Sequence, residues 1–357
     1  MIWFLLLLAT LLVFSYVYLR GEDLSHLDAP QQPLPVGEPS PEHHEVVASL
    51  QEFSNAATSG SRKNRIQTMR DLMDAMSEGR EFVAEFRSVD DAGIKGEWVL
   101  APGANPRRRV LYIHGGAWMA GSPRSHRAIT NRLSIELNAA VFSLDYRLMP
   151  EHKRIAGIVE CQNAYRWILQ NGPDGKEPVD FLMVGGDSAG GSLTLVTLAW
   201  ARDQGLRPAE AAIVFSPSTD VTMSSPSLFA NIPTDPMLGP AFGALSRIPK
   251  LILWWATWIT SRLRPSDPRV SPLRGDLAGL PPTLVLVSEQ EMLFDDAYRY
   301  VAKAQAAGSP VELQSWPHMV HVWPIFNPEL PEAEQAFANI VEFVESVTGE
   351  TREEQAA

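Results

Sequence analysis

A chain of 357 residues, 45% of them hydrophobic, can bury a large core, and α/β domains of this length often run as one unit. Its net charge of −12, with Arg107-Arg108-Arg109 as the one basic cluster, disfavours nucleic-acid binding. The single cysteine, Cys161, rules out an internal disulfide, and no Cys/His spacing for a metal is present. His43-His44, beside Glu42 and Glu45, is expected to be a solvated helix start rather than a ligand cluster.

In chain order, Met1 to Leu19 comes first and carries no charge before Arg20. Such a run is long enough to span a bilayer, with Trp3, Tyr16 and Tyr18 near its ends as interfacial residues. A cleaved signal peptide fits less well, since no basic n-region precedes the run and no small-x-small site follows it. Residues 1–19 are therefore expected to be a single-pass anchor, and Arg20 alone leaves the orientation open. Residues 20–40, rich in Pro, Gln and acids, read as a linker, and 41–78 as two polar helical stretches.

From about residue 81 strands and helices alternate. Apolar runs predict strands near 81–88, 95–100, 109–113, 139–144, 179–185, 210–215, 283–288 and 310–315, the first two as a hairpin. Helical spacing fills 122–138, 155–170, 189–203, 294–307 and 331–347, with Cys161 packed inside one of them. This pattern implies an α/β fold with a mostly parallel central sheet, helices on both faces, and ligands at the carboxyl ends of the strands. The alternation breaks at 221–270, Pro-rich and then helical through Trp254, Trp255 and Trp258. An insertion there fits a helical cap, completed by residues 41–78, in which the tryptophans serve as core or as acyl-pocket wall.

Chemistry concentrates at three places. Val179–Val184 reads as a strand and runs into Gly186-Asp187-Ser188-Ala189-Gly190, a Gly-x-Ser-x-Gly before a helix of small residues. That arrangement is a nucleophile elbow, holding a serine in a strained conformation at the tip of a sharp turn. Upstream, Arg109–Ile113 leads into His114-Gly115-Gly116, where adjacent glycines can aim backbone N–H groups inward. With the N–H of Ala189 they would form an oxyanion hole. The serine needs a base, and only His318 and His321 follow it in sequence; His321 is preferred, with His318 at the rim. The acid should come after strand 283–288, where Glu289, Glu291, Asp295 and Asp296 crowd one turn. Asp295 and Asp296 suit the first turn of the next helix, which leaves Glu291 or Glu289 for the histidine.

His114-Gly115-Gly116, Asp145-Tyr146-Arg147-Leu148-Met149-Pro150-Glu151-His152 and Gly186-Asp187-Ser188-Ala189-Gly190-Gly191 together resemble the hormone-sensitive-lipase-like α/β-hydrolases, the bacterial esterase and arylacetamide-deacetylase-like group. Asp267-Pro268, Val270–Leu273 and Leu280-Pro281-Pro282 extend the similarity, which covers about residues 80–345. The resemblance implies Ser188 as nucleophile, His321 as base, and Gly115, Gly116 and Ala189 as oxyanion donors. In the family an acid, one residue, a leucine, one residue and an acidic pair follow one another; Glu291-Met292-Leu293-Phe294-Asp295-Asp296 fits, with Glu where Asp is commoner. Ala117 stands where a third glycine often stands, and Ser192 replaces a frequent asparagine.

The expectation is a membrane-anchored serine carboxylesterase, catalytic over 79–350, that cleaves small esters of short-to-medium acyl chains through an acyl-serine, with neither cofactor nor metal. Lactone, amide or carbonate hydrolysis on the same triad is the alternative, as is a catalytically silent receptor of the same fold.

Overall fold

The uncharged amino-terminal run forms helix α1 (Ile2–Val13), which continues as a π-helical turn over Phe14–Leu19. In this computed structural model, which describes residues 1–30, 38–58 and 64–350, every residue from Met1 to Val13 is exposed. Only Ser15 and Leu19 of the run are buried. Ile2–Leu19 is the one helix among the described residues long and apolar enough to cross a membrane.

Residues 20–30, the first part of the expected linker, make specific contacts with the body. Leu24 is buried among Leu273, Leu277 and Tyr300, Arg274 donates to the Glu22 carbonyl (3.0 Å), and Arg299 pairs with Asp28. A leucine spaced among polar residues gives no periodic signal, yet with the two arginine contacts it lays the segment on the body. The remainder of the expected linker includes residues 31–37, which lie outside the described residues.

Helices α2 (Pro41–Thr58) and α3 (Arg65–Ala75) follow. Val46 and Leu50, one turn apart, enter the core, while Arg70 of α3 donates to the carbonyls of Met119 (2.7 Å) and Met149 (3.0 Å). His43 is buried rather than solvated, and burial lowers its pKa, so it rests as a neutral ring.

Strands β1 (Glu85–Asp91) and β2 (Ile94–Leu100) form the expected hairpin. Its two-residue turn has positive φ at both Ala92 (50°) and Gly93 (82°), and it pairs Asp91 with Ile94. That turn sets the register, so β1 begins four residues later than the apolar run suggested, and Val83 is left 63% exposed. The body continues through β3 (Asn105–Ile113), α4 (Arg127–Glu136), β4 (Ala139–Leu144), α5 (Arg154–Ile168) and a short hairpin of β5 (Asn171–Gly172) and β6 (Gly175–Lys176). Next come β7 (Phe181–Asp187), α6 (Ser188–Asp203) and β8 (Ala211–Phe215). The segment that interrupts the alternation carries α7 (Ser227–Ala230), α8 (Leu238–Phe242) and α9 (Lys250–Ser261). The chain closes with β9 (Thr283–Ser288), α10 (Phe294–Ala306), β10 (Val311–Trp316) and α11 (Pro331–Thr348).

The eight-stranded sheet has the order β1-β2-β4-β3-β7-β8-β9-β10; β2 is antiparallel to β1 and β4, and the rest run parallel. Every residue of β4, β7, β8 and β9 is buried, as parallel strands covered on both faces require. One face packs against Ile129 and Leu133 of α4 and Phe337 and Ile340 of α11. The other packs against Ile158 and Tyr165 of α5 and Leu193 and Val196 of α6, with Cys161 fully buried there. The parallel strands therefore present their carboxyl ends along one edge, and the loops that carry the chemistry leave from it.

Candidate active site

Strand β7 ends at Asp187 and α6 begins at Ser188 with no residue between them. Ser188 takes φ +51°, a left-handed conformation that costs a non-glycine residue about 1–3 kcal/mol. The flanking glycines are there for space. A Cβ at Gly186 would lie 2.5 Å from the Ile113 carbonyl oxygen, and one at Gly190 only 2.0 Å from it. Only with both glycines can the turn close against the end of β3, leaving Ser188 half-buried and reachable.

Asp187 ties the second loop to this elbow. Its buried carboxylate accepts from the Tyr112 hydroxyl (2.8 Å) and from the Gly115 N–H (3.0 Å), and lies 3.3 Å from His126 Nε2. Burial works against the charge on both members of the Asp187–His126 pair, but their mutual attraction prevails, lowering the Asp187 pKa and raising that of His126. His114, stacked on Tyr146 at 4.3 Å, is neutral instead, its pKa pushed down to about 3 by burial and by His126.

The bond to Asp187 corrects one expectation. Gly115 was expected to offer its N–H to an oxyanion, but that donor is already committed, and a Cβ at Gly115 would meet Asp187 Oδ2 at 2.0 Å. Gly115 is the anchor of the loop. The next residues turn sharply, with positive φ at Gly116 (107°), Ala117 (55°) and Trp118 (60°). Among the described residues nothing accepts from the N–H of Gly116 or Ala117, and both are half-buried. The Arg154 guanidinium over the Trp118 ring (3.5 Å) closes the far side of the turn.

Of the four carboxylates after β9, the structure brings Glu291 to a histidine. Glu291 Oε2 lies 3.4 Å from His321 Nδ1, with both residues buried. That separation is a loose contact, with the His321 Nδ1 short of a formed hydrogen bond; such bonds tighten when the imidazole takes a proton. Burial lowers the His321 pKa, but Glu291 outweighs it and the net shift is upward. Burial raises the Glu291 pKa, against the pull of His321 and Ser216. His318 sits half-buried with Nδ1 3.3 Å from Gln290, and Glu289 accepts from Ser315 (3.0 Å) on the outer side.

Asp295 and Asp296 do not serve the first turn of their own helix, as their position suggested. Asp295 accepts from the Ser227 N–H (2.7 Å), and Asp296 from the N–H groups of Thr219 (2.8 Å) and Asp220 (3.0 Å) and from Ser225. Burial and the Asp220 charge push Asp296 up to about 7. Both carboxylates thus fasten the loop after β8 to the turn after β9. The same loop grips that turn elsewhere: Asn231 Nδ2 donates to the carbonyls of Glu289 and Glu291, and Asp235 accepts from the Met292 N–H (2.9 Å).

Ser216 is the residue that sequence reasoning missed nearest to the chemistry. It donates to Glu291 Oε2 (2.8 Å) and accepts from the Val322 N–H (3.1 Å), linking the acid to the histidine loop. Its φ of +49° points to a constrained role, though nothing in the local pattern distinguishes Ser216-Pro217 from an ordinary strand exit. Replacing Ser216 with alanine should lower kcat about tenfold, the worth of one such hydrogen bond, while KM stays within about twofold. An unchanged kcat would mean that Glu291 keeps its place without it.

With this geometry in place, comparison with known proteins is informative. Residues 110–325, more than half of the chain, match a family described as having the alpha/beta hydrolase fold. The chain is 36% identical to an acetyl-hydrolase of Streptomyces hygroscopicus over 255 residues, which is 71% of this chain and 80% of the relative. It is 35% identical to an esterase of Acinetobacter venetianus over 263 residues, 74% of this chain and 82% of the relative. An esterase from the bacterial hormone-sensitive lipase family superposes with a TM-score of 0.74 at 33% identity, covering 87% of this chain and 99% of that one. The chain thus belongs to the α/β-hydrolase fold family, in its hormone-sensitive-lipase-like group.

Proposed function

We propose how this carboxylesterase works and where it sits. Ser188 is the nucleophile, His321 the general base, and Glu291 the acid that holds the imidazole in its working tautomer. The observation that carries the reading is convergence. A serine at φ +51° directly follows β7, a buried Glu–His pair comes from the loops after β9 and β10, and unspent N–H groups follow β3. Ser188 Oγ attacks the ester carbonyl as His321 takes its proton, and the tetrahedral oxyanion receives the N–H groups of Gly116, Ala117 and Ala189. His321 then protonates the departing alcohol, leaving an acyl-Ser188. Water, deprotonated by His321, attacks the acyl carbon, and collapse returns the serine and releases the acid. Small-molecule esters are the substrates.

The domain reading is that α2, α3 and the 221–270 segment form the cap of a catalytic body spanning 79–350. Residues 1–19 anchor the protein in a membrane as a single pass, supported by the exposure of Met1–Val13 and their lack of charge.

A preference for short and medium acyl chains, about C2 to C8, accords with the acetyl-hydrolase relative. The cap tryptophans support it less than their sequence suggested, since Trp255 and Trp258 pack against Phe14 of the amino-terminal helix. The narrowing is assigned to the apolar cluster of Leu228, Met292 and Leu293 beside Glu291. With p-nitrophenyl esters, kcat/KM for the C4 chain should exceed that for C16 by about tenfold or more. A higher value for C16 refutes the short-chain reading and leaves the esterase intact.

A further inference from the structure

Helix α1 leaves the body beside α9. Trp255 Nε1 donates to Ser15 Oγ (2.9 Å), and Phe14 packs on Trp255 and Trp258 at ring-centroid distances of 5.5 and 5.4 Å. Tyr16 meets Trp254 at 5.6 Å, and the Ser266 N–H donates to the Leu19 carbonyl (3.2 Å). The last turn and a half of the apolar run is thus fastened to the cap segment.

Length then sets depth. The free part, Ile2–Val13, rises only about 18 Å, against a hydrocarbon core about 30 Å thick. The full run, Ile2–Leu19, rises about 27 Å. To span, the helix must use Phe14–Leu19 as well, and those residues bring α9 to the bilayer with them.

The surface of α9 suits that position. Ile252 and Ile259, two turns apart on one face, are 56% and 55% exposed, with Trp255 half-buried between them. Charge points the same way. Between Asp235 and Asp267 the sequence has Arg247, Lys250, Arg262 and Arg264 and no acid, in a chain of net charge −12. Arg20, paired with Asp23 at 2.8 Å, adds a further cation where the amino-terminal helix ends. The Lys250 ammonium lies over the Phe229 ring (4.5 Å), and burial, with Arg20 repulsion behind it, lowers its pKa. A cleft of about 390 Å³ opens at this junction, bounded by Tyr16, Arg20, Thr222, Ser224, Lys250 and Trp254.

We propose that the exposed face of α9, with its basic flanks, docks on a bilayer bearing anionic phospholipid headgroups, so that the cap lies on the membrane. The proposal rests on the reading of residues 1–19 as an anchor. Ile252 and Ile259 enter the interfacial layer, and Lys250, Arg262 and Arg264 meet headgroup phosphates. An ester dissolved in the bilayer then reaches the enzyme at its cap.

The test uses the full chain, reconstituted into vesicles of phosphatidylcholine alone or with about a third phosphatidylglycerol, in a proportion chosen to give an anionic surface. Single cysteines at Ile252, Ile259, Leu8 and Val83 carry an environment-sensitive nitrobenzoxadiazole label, and Cys161 is fully buried and leaves one labelling position in each variant. Brominated lipid should quench the labels at 252 and 259 about threefold or more above the label at 83, most in anionic vesicles. K250E/R262E should abolish that anionic preference. Quenching at 8 without quenching at 252 and 259 overturns the docking while the anchor stands. No quenching at 8 overturns the anchor and the docking with it. Equal quenching of 252 and 259 in both vesicle types overturns the headgroup assignment.

Discussion

Replacing Ser188 with alanine should leave a folded protein that neither turns over esters nor reacts with an organophosphonate. The change removes one oxygen from a half-buried turn whose geometry is set by Gly186, Gly190 and the end of β3. Alanine has to adopt the same left-handed φ, so stability should change by about 1 kcal/mol or less. Turnover should fall by a factor on the order of 10⁴ to 10⁶, since the base then has no nucleophile to activate. Residual catalysis, by water placed against the oxyanion donors, is all that should survive. Thermal melting beside mass-spectrometric detection of the phosphonate adduct separates the two effects. An adduct on another residue of the variant, with substantial esterase activity, would move the nucleophile elsewhere.

Glu291→Gln should cost turnover about 10³- to 10⁴-fold, with a distinctive pH dependence. His321 acts as a base only when neutral, so kcat/KM rises with pH through the His321 pKa. Burial lowers that pKa, but the Glu291 carboxylate facing Nδ1 outweighs it and holds the imidazole above its ordinary value of 6.5. The acid limb of wild-type kcat/KM should therefore have its midpoint above 6.5. In the glutamine variant the charge is gone while burial remains, so the midpoint moves to lower pH as the plateau drops. The fold loss is then smaller in acid than at neutral pH. A limb that stays in place in Glu291→Gln, but moves in Glu289→Gln, would transfer the role to the neighbour.

The carboxylates of this turn also show why proximity in sequence is a poor guide to function. Asp295 and Asp296 differ little from Glu291 in local pattern, yet they bind the backbone of residues 219–227, and Asp296 is pushed up to about 7. They hold residues 219–227 against the turn after β9, with Asn231 and Asp235 gripping from the other side. The loop after β8 and Glu291 therefore share one hydrogen-bonded network, and a change in that loop should be felt at Glu291 through it.

Features governed by local rules were legible in the amino-acid order. Unbroken apolar runs marked the buried parallel strands, because a strand covered on both faces has no polar positions. The glycines around Ser188 marked the elbow, because no side chain fits against the Ile113 carbonyl. Chain order limited the candidate bases to His318 and His321, and alternation implied helices on both faces. The boundaries of β1 were less legible, since a positive-φ turn at Ala92-Gly93, and not hydrophobicity, sets where that strand starts. Tertiary structure alone decided who bonds to whom. Gly115 and Gly116 are neighbours of one residue type, but Asp187, 72 residues away, takes the N–H of the first and leaves the second unspent. Ser216 meets Glu291 across 75 residues, and Trp255 meets Ser15 across 240. Each of these contacts depends on where two distant segments cross, and a hydrogen bond between them leaves no period, cap or turn signature in either one.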